Sequence, residues 1–176
     1  MARIITLTKG QVTQVDDKDY DWLKQWSWRA VGGGNKNSKK RNKFYAQTSR
    51  KIEGCYKGIK MARMILNAPS GIEVDHIDGD SLNNCRSNLR LCTRQQNCWN
   101  VSAQRNTTSR FIGISFWARD QCYHAVIYHN GKTFYLGRFK KETEAARARD
   151  RAAFELRGQF AKLNFPGDFG KALPKV

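Results

Sequence analysis

The sequence predicts an α+β chain, with short strands and helices in front and a three-stranded antiparallel sheet plus one helix behind. Three observations carry this. Asn130-Gly131 separates two strand-like runs, Cys122–Tyr128 and Thr133–Phe139, and both central residues of such a turn need positive φ. From Glu142 to Arg157 alanine recurs at helical spacing (Ala145, Ala148, Ala152, then Leu156), and Gly158 follows where a helix C-terminus takes glycine. Residues 101–109 are polar and aperiodic and read as a linker. The expected organisation is a front region 1–100, the linker 101–109, a second unit 110–166 and a tail 167–176.

In order along the front region, Ile4–Thr8 alternates as a short strand and turns at Lys9-Gly10. Asp16 and Asp17 offer a helix N-cap, with Tyr20, Leu23 and Trp26 at helical spacing behind them as core. Gly32-Gly33-Gly34 is expected to end that piece. Lys36, Lys39, Lys40, Arg41 and Lys43 crowd a stretch without an acid, read as an exposed loop that is either solvated or laid on phosphates. Phe44–Ala46 and Ile59–Met61 read as strands around a polar hairpin, and Ala62–Leu66 as a short helix stopped before Pro69. In the second unit Phe111–Trp117 is the first of the three strands. If Ile112, Ile114 and Phe116 pack on the helix, Ser115 and Trp117 face outward; if Ala125 and Ile127 pack inward, His124 and Tyr128 face outward.

Composition narrows the function. The 176 residues hold 32 Lys+Arg against 15 Asp+Glu, a formal charge of +17. Residues 1–70 carry 15 basic and 5 acidic side chains, residues 71–109 carry 4 and 4, and residues 110–176 carry 13 and 6, so two basic blocks flank a neutral middle. Such a chain attracts polyanions, nucleic acid first. No apolar run approaches the roughly 20 residues of a membrane span, so a membrane protein is not expected. Five scattered cysteines suit a reducing compartment, the cytoplasm, better than a disulfide scaffold.

The neutral middle reads Val74-Asp75-His76-Ile77-Asp78-Gly79-Asp80. Asp-Gly-Asp is turn chemistry, and Asp78 and Asp80 could do only that. The sharper reading is a divalent-metal site, because hard oxygen ligands suit Mg²⁺ or Mn²⁺ rather than Zn²⁺. Downstream stand Asn83-Asn84, Arg86, Ser87-Asn88-Leu89-Arg90 and Thr93-Arg94-Gln95-Gln96-Asn97. Thr93 with Gln96 is a capping box that starts a helix and puts Asn97 just past its first turn. A strand end, a loop and a helix could thus bring Asp75, His76 and Asn97 together. Cys85, Cys92 and Cys98 lie seven and six apart with no Cys-x-x-Cys pair, so no structural Zn²⁺ is expected.

With those residues in view, 74–100 resembles the HNH nuclease motif and its ββα-metal fold, in the H-N-N variant of phage and intron-encoded homing endonucleases. Lys9-Gly10, Val15-Asp16-Asp17 and Met61-Ala62-Arg63 resemble the front of such phage proteins, although Ala62 stands where the family often has His. Residues 110–166 separately resemble the plant ethylene-response-factor (ERF) type of DNA-binding domain, through Gly113-Ile114-Ser115, Tyr123-His124-Ala125, Leu136-Gly137-Arg138-Phe139, Asp150 and Leu163-Asn164-Phe165-Pro166. The first resemblance implies His76 as general base, Asn88 as the residue that ties down the base-bearing loop, and Asp75 with Asn97 as ligands of one divalent metal, Mg²⁺ or Mn²⁺. It implies phosphodiester hydrolysis that leaves 5′-phosphate and 3′-hydroxyl ends. Val101 stands where many relatives place a further His, which fits the Asp/Asn pair. Arg63, Arg86, Arg90 and Arg94 are candidate phosphate contacts. The second resemblance implies a sheet laid in the major groove of double-stranded DNA, with Ser115, Trp117, Arg119, His124 and Tyr128 as candidate contacts. This face has fewer arginines than the plant domain, so mostly phosphate positioning is expected.

The expectation is therefore a metal-dependent, site-specific DNA endonuclease, of phage origin if the resemblance holds and then acting in the bacterial cytoplasm. The alternative is a DNA-binding regulator that keeps the nuclease scaffold without catalysis. No dimerisation heptad is visible, so a monomer that nicks is expected, whereas a symmetric homodimer could cut both strands.

Overall fold

The computed structural model describes residues 1–33, 43–100 and 108–170. The lysine-rich stretch, apart from Lys43, lies outside the described residues, as do most of the linker and the end of the tail. The chain divides into two units, Met1–Asn97 and Cys98–Val176.

The first unit opens with an antiparallel hairpin of β1 (Ala2–Thr6) and β2 (Val12–Asp16). Lys9 and Gly10 turn it, with φ of 61° and 65°. The strand at Val12–Asp16 was not expected; its period is two, Thr13 and Val15 being buried and Val12 and Gln14 exposed. Helix α1 (Asp17–Leu23) follows with Asp16 at its N-cap, but the Asp16 side chain makes no cap. Its carboxylate instead accepts the backbone N–H of Arg86 at 2.8 Å.

β3 (Arg29–Gly33), β4 (Lys43–Ile52) and β5 (Cys55–Lys60) form an antiparallel sheet in the order β3-β4-β5. Gly32 and Gly33 therefore continue a strand, paired with Phe44 and Lys43, rather than ending the unit. Helix α2 (Met61–Ile65) leads to β6 (Glu73–His76) and β7 (Leu89–Cys92), an antiparallel pair. Ile5, Val15, Leu23, Trp28, Met61, Ile65 and Leu89 share one core cluster. Each such side chain contributes about 1.5–3 kcal/mol on burial. That core joins the front hairpin, both short helices and β7, and it fixes the strand pair that carries the Asp-His motif. Helix α3 (Arg94–Trp99) follows β7. The expected capping box is made: Gln96 Oε1 accepts from the Thr93 N–H at 2.8 Å, and Thr93 Oγ1 accepts from the Gln96 N–H at 3.2 Å.

In the second unit β8 (Ile114–Trp117), β9 (Cys122–His129) and β10 (Lys132–Phe139) form an antiparallel sheet with β9 in the centre. Asn130 and Gly131 turn the β9–β10 hairpin with φ of 49° and 79°. β8 starts later than expected because Gly113 has φ +75°, and a Cβ there would meet the Val126 carbonyl oxygen at 2.5 Å. Gly113→Ala should therefore destabilise the second unit by more than about 1 kcal/mol, read as a lower urea midpoint; an unchanged midpoint would contradict this.

Helix α4 (Glu142–Arg157) packs against the sheet. Its bounds are those expected, and its buried face is so in part, at Ala145 and at Ala153, adjacent to Ala152. Ala145, Ala146, Arg149, Asp150 and Ala153 point inward, whereas Ala148 and Ala152 are only half-buried and Leu156 is exposed. The inward face carries a buried ion pair between Arg149 and Asp150 at 3.2 Å. Asp150 also accepts the backbone N–H groups of Asn164 (2.7 Å) and Phe165 (2.8 Å), which draws the segment after α4 across its face.

Candidate active site

Asp75 and His76 are the last two residues of β6, and both are buried. Strand alternation puts Glu73 and Asp75 on one face. Arg90 lies opposite Asp75 in the register, and its Nε and Nη2 donate to Asp75 Oδ2 at 2.9 and 2.7 Å. From α3, Asn97 Nδ2 donates to Glu73 Oε2 at 2.6 Å. Asn97 is thus held at Glu73, the start of β6, and Asp75 by Arg90 two residues on. Sequence reasoning missed Glu73; the signal was its place two residues before Asp75, on the same face of a strand.

The loop after His76 is tightly bonded. Asp78 Oδ1 accepts the Asp80 N–H at 2.7 Å, and Asp80 Oδ1 accepts the Leu82 N–H at 3.0 Å. These are the turn roles open to both acids. Asn88 braces the loop from β7's side. Its Nδ2 donates to Asp78 Oδ1 (2.9 Å) and the Asn83 carbonyl (2.8 Å), and its Oδ1 accepts the Asp78 N–H at 3.0 Å. Burial alone would raise the Asp78 pKa, but hydrogen bonds from Asn83, Asp80 N–H and Asn88 hold it below the usual carboxylate value.

His76 Nε2 lies 3.1 Å from Oδ1 of Asn84, itself fully buried. Burial pushes the His76 pKa below the ordinary imidazole value, against the upward pull of Asn84 and of Asp78, Asp75 and Asp80. Its neutral form is therefore the one present near pH 7. Asn84 was noted in the sequence only as part of an Asn pair, and nothing local marked it as the partner of His76.

Three of the four arginines expected on phosphate are engaged inside the fold. Arg63 donates to the carbonyls of Ile72, Ala68 and Pro69. Arg86 grips the buried Asp19 through Nε (2.7 Å) and Nη2 (2.8 Å), and Arg90 holds Asp75. Arg94 is exposed. A carboxylate partner at long sequence separation claims a guanidinium, and the sequence gives no local sign of it. Burial pushes the Cys92 thiol up to about 11 and raises that of Cys85.

On the second unit's sheet, the register sets Ser115 opposite His124 and Trp117 opposite Cys122. Ile114, Ala125 and Ile127 face the other way and are buried, as expected. Trp117, half exposed, stacks on His124 with centroids 4.6 Å apart and planes 8° apart, and Tyr135 meets the same imidazole edge-on at 5.6 Å. Tyr128, Arg119 and Arg138 are exposed. Tyr135 and Arg138 join this face although neither was among the expected contacts. A bulge between Tyr135 and Gly137 shifts the β9–β10 register and hides their facing from simple alternation. Asp120, Cys122 and His124 bring ligand-type atoms within 4.8 Å of one another, with the Asp120 carboxylate 3.5 Å from Arg138.

Comparison with known proteins places the strand pair and its loop. The HNH endonuclease family profile matches residues 67–98, the stretch that holds Glu73, Asp75, His76, Asn84, Asn88 and Asn97. Protein 3.8 of Escherichia phage T7 is 33% identical over 95 residues, which cover 54% of this chain and 78% of that protein. The chain carries an HNH endonuclease domain. A protein of Acanthamoeba polyphaga mimivirus named "Uncharacterized HNH endonuclease L560" is 42% identical over 96 residues, 54% of this chain. The chain spans about half, 49%, of that relative's length. The "AP2-like ethylene-responsive transcription factor TOE2" of Arabidopsis thaliana is 38% identical over 73 residues, 41% of this chain and 15% of that protein. No solved structure matches. Within the matched stretch, Asp75, His76 and Asn88 lie on the strand pair and its loop, and Asn97 lies on α3. Among the described residues no helix is long and apolar enough to cross a membrane.

Proposed function

We propose that this HNH protein is a metal-dependent, site-specific DNA endonuclease of the homing type. The front region 1–100 acts as the nuclease, with β6, β7 and α3 as its ββα-metal element, and 110–166 as an ERF-like DNA-reading unit. The observation that supports this most is the buried Asp75–His76 pair that ends β6, with Asn97 of α3 hydrogen-bonded to Glu73 of the same strand.

The donor set fits a hard divalent cation. Asp75 offers a carboxylate and Asn97 an amide oxygen, with the Glu73 carboxylate on the same strand face. Arg90 already neutralises the Asp75 carboxylate, so binding requires that ion pair to loosen. A bound Mg²⁺ or Mn²⁺ supplies charge stabilisation to the phosphate and the leaving 3′ oxygen. His76, neutral near pH 7, takes the proton of the attacking water. Asn88 fixes the loop that follows it through both Asp78 bonds. Arg94, exposed at the start of α3, is placed to meet a phosphate. On the second unit, Trp117, His124, Tyr128, Ser115 and Arg119 form the face laid on duplex DNA. Tethering that reader to the nuclease raises the local concentration of target.

The test is cleavage of supercoiled plasmid and of a candidate target genome with Mg²⁺, Mn²⁺ or EDTA. Cutting should require metal and fall by at least about 100-fold in Asp75→Ala. Metal-independent cutting would overturn the metal-dependent mechanism, and no cutting of any DNA while binding persists would instead favour a regulator that keeps the scaffold.

A further inference from the structure

The imidazole of His76 sits at the end of a chain of buried hydrogen bonds that begins on the front hairpin. Thr13 Oγ1 lies 2.7 Å from the Leu82 carbonyl oxygen, which can only accept, so the hydroxyl proton points there. The Thr13 oxygen must then accept from Asn84 Nδ2, 2.8 Å away. That fixes the Asn84 amide with Oδ1 turned to His76 Nε2 at 3.1 Å. An amide oxygen cannot donate, so the neutral imidazole carries its hydrogen on Nε2 and its lone pair on Nδ1. Thr13 and Asn84 are each 1% exposed and His76 8%, so water does not compete along this line. The backbone holds the same place: Gln14 N–H donates to the Leu82 carbonyl at 2.9 Å, and Asn84 N–H to the Gln14 carbonyl at 2.8 Å.

We infer that Thr13 and Asn84 are positioning residues that set the tautomer of His76 and make Nδ1 its basic atom, so that the front hairpin, outside the residues matched to the HNH family, completes the catalytic apparatus. The inference rests on the proposed role of His76 as base. Its physics does not, because the direction of the chain follows from which atoms can donate.

The experiment is ¹⁵N NMR of the ring nitrogens in the full chain, which distinguishes the two neutral tautomers. The chain has 3 histidines, His76, His124 and His129, so single substitutions of the other two assign the signal. The expected wild-type result is Nε2–H; a dominant Nδ1–H tautomer overturns the inference without any variant at the relay. Thr13→Val should then mix the tautomers and lower kcat about 10–100-fold with KM within twofold, and Thr13→Ser should restore both. A Thr13→Val chain that is folded and keeps a pure Nε2–H tautomer overturns the part assigned to Thr13. A fixed Nε2–H form in a chain that cuts no DNA would sink the nuclease reading and leave the relay standing. Cleavage by a chain with Nδ1–H would do the reverse.

Discussion

His76→Ala is expected to lower metal-dependent DNA cleavage by roughly 10²–10⁴-fold, the range a positioned general base supplies. Circular dichroism and DNA affinity should stay close to wild type, because the ring bonds Asn84 and is not part of the first unit's hydrophobic core cluster. The pH profile gives the second readout. Burial holds the His76 pKa below the ordinary value of 6.5. The active form is neutral, so cleavage should fall only as pH drops through a point below 6.5 and be flat from there to neutrality. An inflection above that value would contradict the assignment. The same shift bears on stability. The unfolded chain takes up the proton more readily, so this group's contribution is complete above the unfolded pKa and is lost as pH falls through and below it.

Asp150→Ala should be the most disruptive substitution in the second unit. Its carboxylate is fully buried and accepts from Arg149, from the backbone N–H groups of Asn164 and Phe165, and from Asn164 Nδ2. Removing it leaves a buried guanidinium without its counter-charge and two backbone donors without acceptors. Breaking a buried pair from one side costs about 3–5 kcal/mol. For a unit of this size, each kcal/mol lowers Tm by about 4–8 °C. Thermal melts of the full chain should show the second unit unfolding well ahead of the first. A loss below about 1 kcal/mol would mean that the segment after α4 is held by its apolar contacts instead.

The parts of the fold that could be read ahead were those governed by neighbours in sequence. The Thr93–Gln96 box, the Asn130-Gly131 turn and the ends of α4 obey rules that span at most four residues, and the structure keeps them. What could not be read depends on distant partners. Gly32 and Gly33 are strand because β4 lies beside them. The buried face of α4 is set by Asp150 reaching 14 and 15 residues ahead. The carboxylate partner of Arg86 is Asp19, 67 residues away. In the site itself, Asp75, His76, Asn88 and Asn97 are legible through the resemblance to the HNH motif and its spacing. Glu73 and Asn84 are not, since their meaning lies in the atoms they touch across the strand pair and the hairpin.

The tie between the front hairpin and the loop after His76 bears on how such a protein can change. Thr13 and Gln14 each bond Leu82 and Asn84, Asp16 bonds Arg86, and Asp19 at the start of α1 grips Arg86 as well. The stretch that bears the nuclease signature is therefore not a cassette that can be cut out and spliced elsewhere. A chimera that swaps 67–98 alone pairs a new loop with an old clasp, whereas one that carries the hairpin along keeps both halves of the fit. Exchange between relatives is constrained to move the two together, or to re-match Thr13, Asp16 and Asp19 afterwards.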